Sequence, residues 1–271
     1  MIRTHTSLPA LYIPHGGGPC FFMDWTMGPQ DTWDRMAHWL EGIPATLPMQ
    51  PDAIVVISAH FEEEITTITG NPQPTLIYDY YGFPEHTYTL TYPAPGNPAL
   101  AQKIHTLLTS AGIIARLDPH RGFDHGLFVP LKLIYPKANI PIVQVSLTSD
   151  LDPAAHFAVG QALASLRTEN ILIIGSGMSY HNLGKLFDGS AGTTSDCFDM
   201  WLTATVTATD TDLRKQQLMG WSTAPAARDA HPREDHLLPL MVIAGTAADE
   251  QAQCVFTDRV MGATVSAYQF G

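Results

Sequence analysis

Charge is scarce in this chain of 271 residues, and basic charge scarcest of all. Fourteen Lys+Arg stand against 26 Asp+Glu, a formal balance of −12, and charged residues make up only 15%. A phosphate-backbone binder needs a concentrated basic face, so nucleic acid is not an expected partner. Cysteine is nearly absent. Cys20, Cys197 and Cys254 are odd in number, far apart and form no C-x-x-C pair. That spacing excludes a disulfide scaffold or a cysteine zinc site legible from sequence, and it fits a reducing, cytoplasmic setting. No run of 18 apolar residues exists, so no membrane span is expected. No charged stretch followed by a long apolar one opens the chain, so a signal peptide is not expected either. G-x-G-x-x-G, G-K-[ST] and H-E-x-x-H are all missing. Gly175-Ser176-Gly177 fails as a nucleophile elbow, because Ile174 stands where that motif needs glycine.

What is present is apolar. Hydrophobic residues reach 45%, enough for a substantial core without disulfides. Short, continuous, β-branched runs at Ala10–Ile13, Ala53–Ser58, Pro141–Leu147 and Ile171–Ile174 read as strands buried on both faces. Ile65–Thr69 and a C-terminal stretch, Val255–Phe270, read as further strand. Helical patterns lie between them at Pro98–Ala111, Leu127–Tyr135, Asp152–Leu166, Ser195–Met219 and Glu234–Ala247. Asp152-Pro153 reads as an N-cap followed by proline at the first helical position. The alternation predicts an α/β fold. It is expected as a single domain over 1–271, with a central mostly parallel or mixed sheet flanked by helices. No linker, internal repeat or low-complexity tract divides the chain.

Histidine is the one polar residue in excess: twelve, nearly as many as Lys and Arg together. Three follow strand runs: His15 before Gly16-Gly17-Gly18, His60 after Ser58-Ala59, and His181 after Ser179-Tyr180. Ligands of open α/β sheets bind beyond the carboxyl ends of the strands, where residues distant in sequence meet. A metal site beyond those ends is therefore expected. Imidazole suits Fe, Zn or Cu, and also serves as a base near neutral pH. Two more histidines precede helices: His125 in Phe123-Asp124-His125-Gly126, and His236 in His231-Pro232-Arg233-Glu234-Asp235-His236. Asp124 also reads as a plain N-cap.

Taken in order, His15-Gly16-Gly17-Gly18-Pro19, Ser58-Ala59-His60, Asp124-His125-Gly126, Ser179-Tyr180-His181-Asn182-Leu183 and His231 through Leu240 resemble the class III extradiol ring-cleaving dioxygenases. The similarity is to the DOPA-dioxygenase-like branch and runs over nearly the whole chain. It implies one non-haem ion per chain, Fe(II) for activity with Zn(II) as the other metal that fits, and a small aromatic diol and O2 as substrates. By the same resemblance His15, His60 and His236 are metal ligands. His181 and His125 are the catalytic histidines, with His181 near the substrate hydroxyls and also available as an additional ligand, and His125 facing oxygen. His231, Tyr180, Asp124 and Arg233 are candidates to support the ligands or touch substrate. The extra glycine where the family's His-Gly-Ser-Pro is usual implies altered loop contacts. A homo-oligomer is compatible with the sequence.

The chemistry suits these residue types. Three protein ligands leave positions open on the ion, and an all-histidine set leaves its +2 charge intact to favour a deprotonated diol. A histidine can take the second hydroxyl proton, and another can stabilise charge developing on oxygen. Two rivals share the pattern: a zinc-dependent hydrolase, and a non-enzymatic Memo-like binding protein of the same superfamily. Phe21, Phe22, Trp25, Tyr78, Tyr80 and Tyr180 are candidate cavity walls. The Tyr78–Tyr92 stretch is a candidate cover, with His86 and Tyr88 within it as candidates to touch substrate; Arg121 and Arg233, beside the histidine motifs, are candidates to meet a substrate carboxylate.

Overall fold

The computed structural model describes residues 7–271. Eight strands form one sheet: β1 (Ala10–Pro14), β2 (Ala53–Glu63), β3 (Thr66–Thr69), β4 (Ala115–Asp118), β5 (Ile142–Thr148), β6 (Ile171–Gly177), β7 (Ala252–Val260) and β8 (Ala263–Phe270). Their order is β4-β3-β5-β2-β6-β1-β8-β7. The centre is parallel, with β2 pairing both β5 and β6, and β6 pairing β1. Antiparallel pairs β3/β5, β1/β8 and β7/β8 make the sheet mixed. The expected apolar runs are these central strands. β1 and β6 are buried at every position, as continuous β-branched sequence requires of strands covered on both sides.

Nine helices accompany the sheet among the described residues: α1 (Asp34–Thr46), α2 (Pro98–Ser110), α3 (His125–Ile134), α4 (Pro153–Leu163), α5 (Leu183–Asp188), α6 (Gly192–Val206), α7 (Thr211–Met219), α8 (Ala227–Ala230) and α9 (Leu238–Thr246). α3 packs with α1 and against β2 and β6, while α9 packs with α4 and against β1, β2 and β6. α9 is apolar on every side and wholly buried, so its position is set by the core rather than by one amphipathic face. None of the helices is long and apolar enough to cross a membrane.

Four elements differ from the sequence expectation, each for a local reason. The long helix over Ser195–Met219 is two helices. Asp210 breaks it by accepting from the Leu213 N–H at 3.0 Å, which starts α7 afresh. The C-terminal strand is a hairpin, because Met261 and Gly262 both take positive φ (49° and 82°), as a two-residue turn between antiparallel strands requires. The helix expected from Glu234 begins only at Leu238, since Pro239 is tolerated in a first turn and nowhere deeper. His236 therefore lies in the turn before α9 rather than on the helix. The Asp152–Leu166 helix ends at Leu163 and tightens into a 3₁₀ segment, Ala164–Glu169.

Candidate metal centre

The end of β1, an irregular stretch of β2 and the turn before α9 bring three of the histidines together. His15 follows β1, and its N–H donates to Gly177 O at 3.1 Å, continuing the parallel ladder with β6. His60 lies within the last part of β2, where the β2/β5 register slips between Ile57 and Glu62, an irregularity of the kind that re-aims a side chain. His236 is clamped by its carbonyl, which accepts from the Tyr12 hydroxyl at 2.7 Å and from the Met178 N–H at 3.1 Å. Gly177 permits this approach: a Cβ there would stand 2.1 Å from that same carbonyl oxygen.

The three rings form a nearly equilateral triangle, with centroids 4.9 Å (His15–His60), 5.2 Å (His15–His236) and 4.9 Å (His60–His236) apart. One nitrogen from each lies within 4.8 Å of the others. Each Nδ1 faces an acceptor: Gly16 O at 2.9 Å for His15, Asp235 Oδ2 at 3.0 Å for His236, and Asp79 Oδ2 at 3.5 Å for His60. Carbonyls and carboxylates only accept, so Nδ1 carries the proton and Nε2 keeps its lone pair. All three Nε2 atoms are buried and without a hydrogen-bond partner. Three converging buried lone pairs are costly unless a cation or donor lies among them, so the donor set fits a metal ion. Burial, and after it the neighbouring histidines, hold His15, His60 and His236 well below the usual imidazole pKa. They are thus neutral and ready to ligate at pH 7. Two other groupings, His60–Asp79–His125 and His181–Asp235–His236, also come close. Their carboxylates are already engaged by His125 and His236 respectively, so the all-histidine triangle is the better site.

His125 opens α3, and its ring lies 3.9 Å from that of His60 and 5.4 Å from that of His15, centroid to centroid. Asp79 Oδ1 accepts from both its backbone N–H and its Nδ1–H, each at 2.9 Å. Burial pushes the Asp79 carboxyl up, but bonding to His125 outweighs it and leaves the pKa below the ordinary value. His181 stacks on His236, with centroids 3.4 Å apart and planes 10° apart. Burial pulls it down to about 4, so it is neutral at pH 7. These five histidines meet at a cavity of about 410 Å³, within the size range of small-molecule sites.

A model of the family described as the catalytic LigB subunit of aromatic ring-opening dioxygenase matches residues 9–270. The chain belongs to that family. It is 37% identical over 281 residues to dioxygenase tasH of Hapsidospora irregularis, covering 97% of this chain and 85% of the relative. It is 40% identical over 218 residues to a 4,5-DOPA dioxygenase extradiol of Beta vulgaris, covering 79% of each. The crystal structure of an uncharacterized Escherichia coli K12 protein superposes with a TM-score of 0.78 at 31% identity, covering 97% of this chain and all of that one. As a member of this ring-opening family the chain is an enzyme, an extradiol-type aromatic ring-cleaving dioxygenase.

Within this dioxygenase the remaining candidates fall in three places. Tyr180, Trp25 and Tyr80 line the cavity. Asp124 does not; it is fully buried behind His60. It occupies the N-cap position of α3 without capping, since its carboxylate is taken by Ser58 at 2.7 Å, Gln144 Nε2 at 2.5 Å and Arg121 at 3.3 Å. His231 is also fully buried, away from the cavity, between Phe198 and Trp221, with Nε2 3.0 Å from Ser179 O. It braces the loop that carries His181. Arg233 is half exposed and paired with Glu62 at 2.7 Å, and Arg121 stacks on Phe61, so neither reaches the cavity. His86 bonds Phe22 O, and the Tyr88 hydroxyl accepts from Phe83 N–H, so both lie outside the lining. The 78–92 stretch nevertheless walls the site through Tyr80, Tyr81 and Phe83.

Sequence reasoning missed Asp79 and Asp235, the two carboxylates that hold the histidine rings. Asp235 had a signal, since it adjoins His236. Asp79 had only its oddity, a lone acid among Tyr78, Tyr80 and Tyr81.

Proposed function

We propose that this enzyme opens the ring of a catechol-type diol with O2, using Fe(II) held by His15, His60 and His236. The observation that carries the reading is the convergence of three buried, partnerless Nε2 lone pairs at the floor of a cavity large enough for a small aromatic ring. When bound there, Fe(II) supplies adjoining open positions for diol and O2 and the redox chemistry that zinc lacks. His181 accepts the second hydroxyl proton of the diol, being neutral at pH 7 and stacked against a ligand ring. His125 faces oxygen from the other side of the triangle, with its Nδ1–H held by Asp79 and its Nε2 turned to the charge developing there to pass a proton. Tyr80 and Tyr180 flank the space between them and restrict how the aromatic ring lies. His231 and Ser179 fix the loop on which His181 is carried.

The test is direct. Protein loaded with Fe(II) is mixed with catechols in air, and oxygen uptake is followed together with the yellow ring-opened product. Uptake that is stoichiometric with product, and lost in His181→Ala while metal content is retained, is the expected result. No uptake with any diol by fully Fe(II)-loaded protein sinks the reading.

A further inference from the structure

Among the described residues, the cavity above the histidine floor carries no Lys, Arg, Asp or Glu in its lining. Its inner wall is aromatic and thioether, with Trp25, Trp33, Tyr80, Phe83, Met178 and Tyr180, and the peptide units of Gly16 to Gly18 lie beside the histidines in the lining. The mouth is apolar too. Tyr81 is 89% exposed, Phe187 63%, Leu183 51% and Met27 46%, and all four line the same cavity. Large apolar side chains exposed singly are ordinary, but several ringing one opening mark a surface that something apolar covers.

Among the described residues, the arginines of the neighbouring recess and the lysine of the mouth helix are engaged elsewhere. Arg35 and Arg259 line a separate neighbouring recess that shares Met27 and Met261 with the cavity. Arg35 pairs with Asp258 at 2.5 Å, and Arg259 pairs with Asp196 at 2.6 Å and donates to Gly262 O at 2.8 Å. Lys185, on the same short helix as Leu183 and Phe187, pairs with Asp229 at 2.6 Å. A carboxylate on the substituent, away from the metal-bound hydroxyls, would lose its water and meet no side-chain cation or arginine fork in return, which is strongly unfavourable. A formal charge of −12 works in the same direction at long range, since the summed field opposes the approach of an anion.

We propose that the diol taken by this cavity is uncharged outside its hydroxyls and carries an apolar substituent, alkyl or aryl. The substituent leans on Phe187, Leu183, Tyr81 and Met27 at the mouth, and catechols with a carboxylate or an amino-acid tail are rejected. This rests on the ring-cleavage reading for the diol itself, but it concerns the walls and not the floor.

The test pairs ligands of the same ring and chain length. Propylcatechol, dihydroxyphenylpropanoate and DOPA are titrated into protein loaded with redox-inert Zn(II), with quenching of tryptophan fluorescence as the signal, because Trp25 and Trp33 line the cavity. The expected result is a Kd for propylcatechol at least tenfold lower than for either charged diol, with kcat/KM of the Fe(II)-loaded enzyme following the same order. Leu186→Arg, which puts a guanidinium on the wall without touching any histidine, is expected to narrow or invert the preference. Circular dichroism checks that this variant is folded, and if it is not, the ligand comparison on the unaltered protein decides alone. Equal or tighter binding of the propanoate or DOPA overturns the proposal, and so does failure of every diol to bind. A tenfold binding preference without oxygen uptake keeps the proposal and sinks ring cleavage. Uptake without preference does the reverse.

Discussion

Asp79 holds His125 by two hydrogen bonds through one oxygen, to the backbone N–H and to the ring Nδ1–H, each 2.9 Å long. Its other oxygen stands 3.5 Å from Nδ1 of His60. One carboxylate thus orients a ring of the metal triangle and a ring proposed to face oxygen, and it does the capping that Asp124, at the N-cap position, does not.

Asp79→Asn preserves the shape and removes the charge. A drop in kcat of roughly 10–100-fold is expected, with metal affinity reduced less, because the histidine partner sets ring orientation and basicity. Asp79→Ala also leaves the His125 N–H without its acceptor, so it costs in addition about 1 kcal/mol of stability. Steady-state kinetics with metal analysis, and thermal melts of both variants, separate the two effects. Unchanged kcat in Asp79→Asn would refute the role.

Removal of any one Nε2 is expected to empty the site. His15→Ala, His60→Ala and His236→Ala should each fall from one bound ion per chain to almost none, measured by elemental analysis after desalting. Loading the unaltered protein should raise its melting temperature, since an ion that binds only the folded chain stabilises it by mass action. Retention of full stoichiometry in all three variants would contradict the triangle.

Acid should destabilise the metal-free protein through its buried histidines. Burial, chiefly, pulls His231 down to about 3 from an ordinary 6.5, so between those values the unfolded chain binds the extra proton and the folded one does not. Stability therefore falls as pH falls, by up to about 1.4 kcal/mol per pH unit for such a group, and the penalty vanishes above about 6.5. His231→Gln keeps a donor for Ser179 O and removes the titration. Its melting temperature should fall less steeply between pH 6.5 and 5 than that of the unaltered protein, and parallel curves would refute the assignment.

Gly177→Ala places a methyl 2.1 Å from the His236 carbonyl oxygen, a backbone atom that cannot swing away. A loss of 1–3 kcal/mol or more is expected, on the order of other overpacked sites, together with weaker metal binding as the turn carrying His236 is displaced. Gly42→Ala is the control. Its Cβ meets nothing within 4 Å inside α1, and it should stabilise by about 0.5–1 kcal/mol. Chemical denaturation of the two variants measures both.

The central sheet was legible because its strands are buried on both faces and so read as unbroken β-branched runs. The positions of His15, His60 and His181 just past such runs were enough to expect a site beyond strand ends. α1 was not legible. Its buried positions Met36, Leu40 and Ile43 keep helical spacing, but Trp39, Gly42 and Pro44 obscure it. β4 was missed because it is a short edge strand with no buried residue. Asp79 could not be assigned from sequence, since nothing local ties an acid in an aromatic loop to a histidine 46 positions later. The cavity's lack of charge is likewise a property of which side chains converge, and composition alone does not give it.

The three histidines of the triangle are spread over almost the full run of the chain, with His15 and His236 separated by 221 positions. An ion gripped by all three is a clasp across that whole span, closing a loop far longer than most cross-links close. Growth from the ribosome supplies His15 and His60 early, and the third nitrogen only after β6 exists to seat the turn that bears it. A chain ending before His236 would lack one corner of the triangle and, on the proposed reading, would hold the ion weakly. The full donor set of the proposed ion is thus complete only once nearly all of the cavity wall has been made.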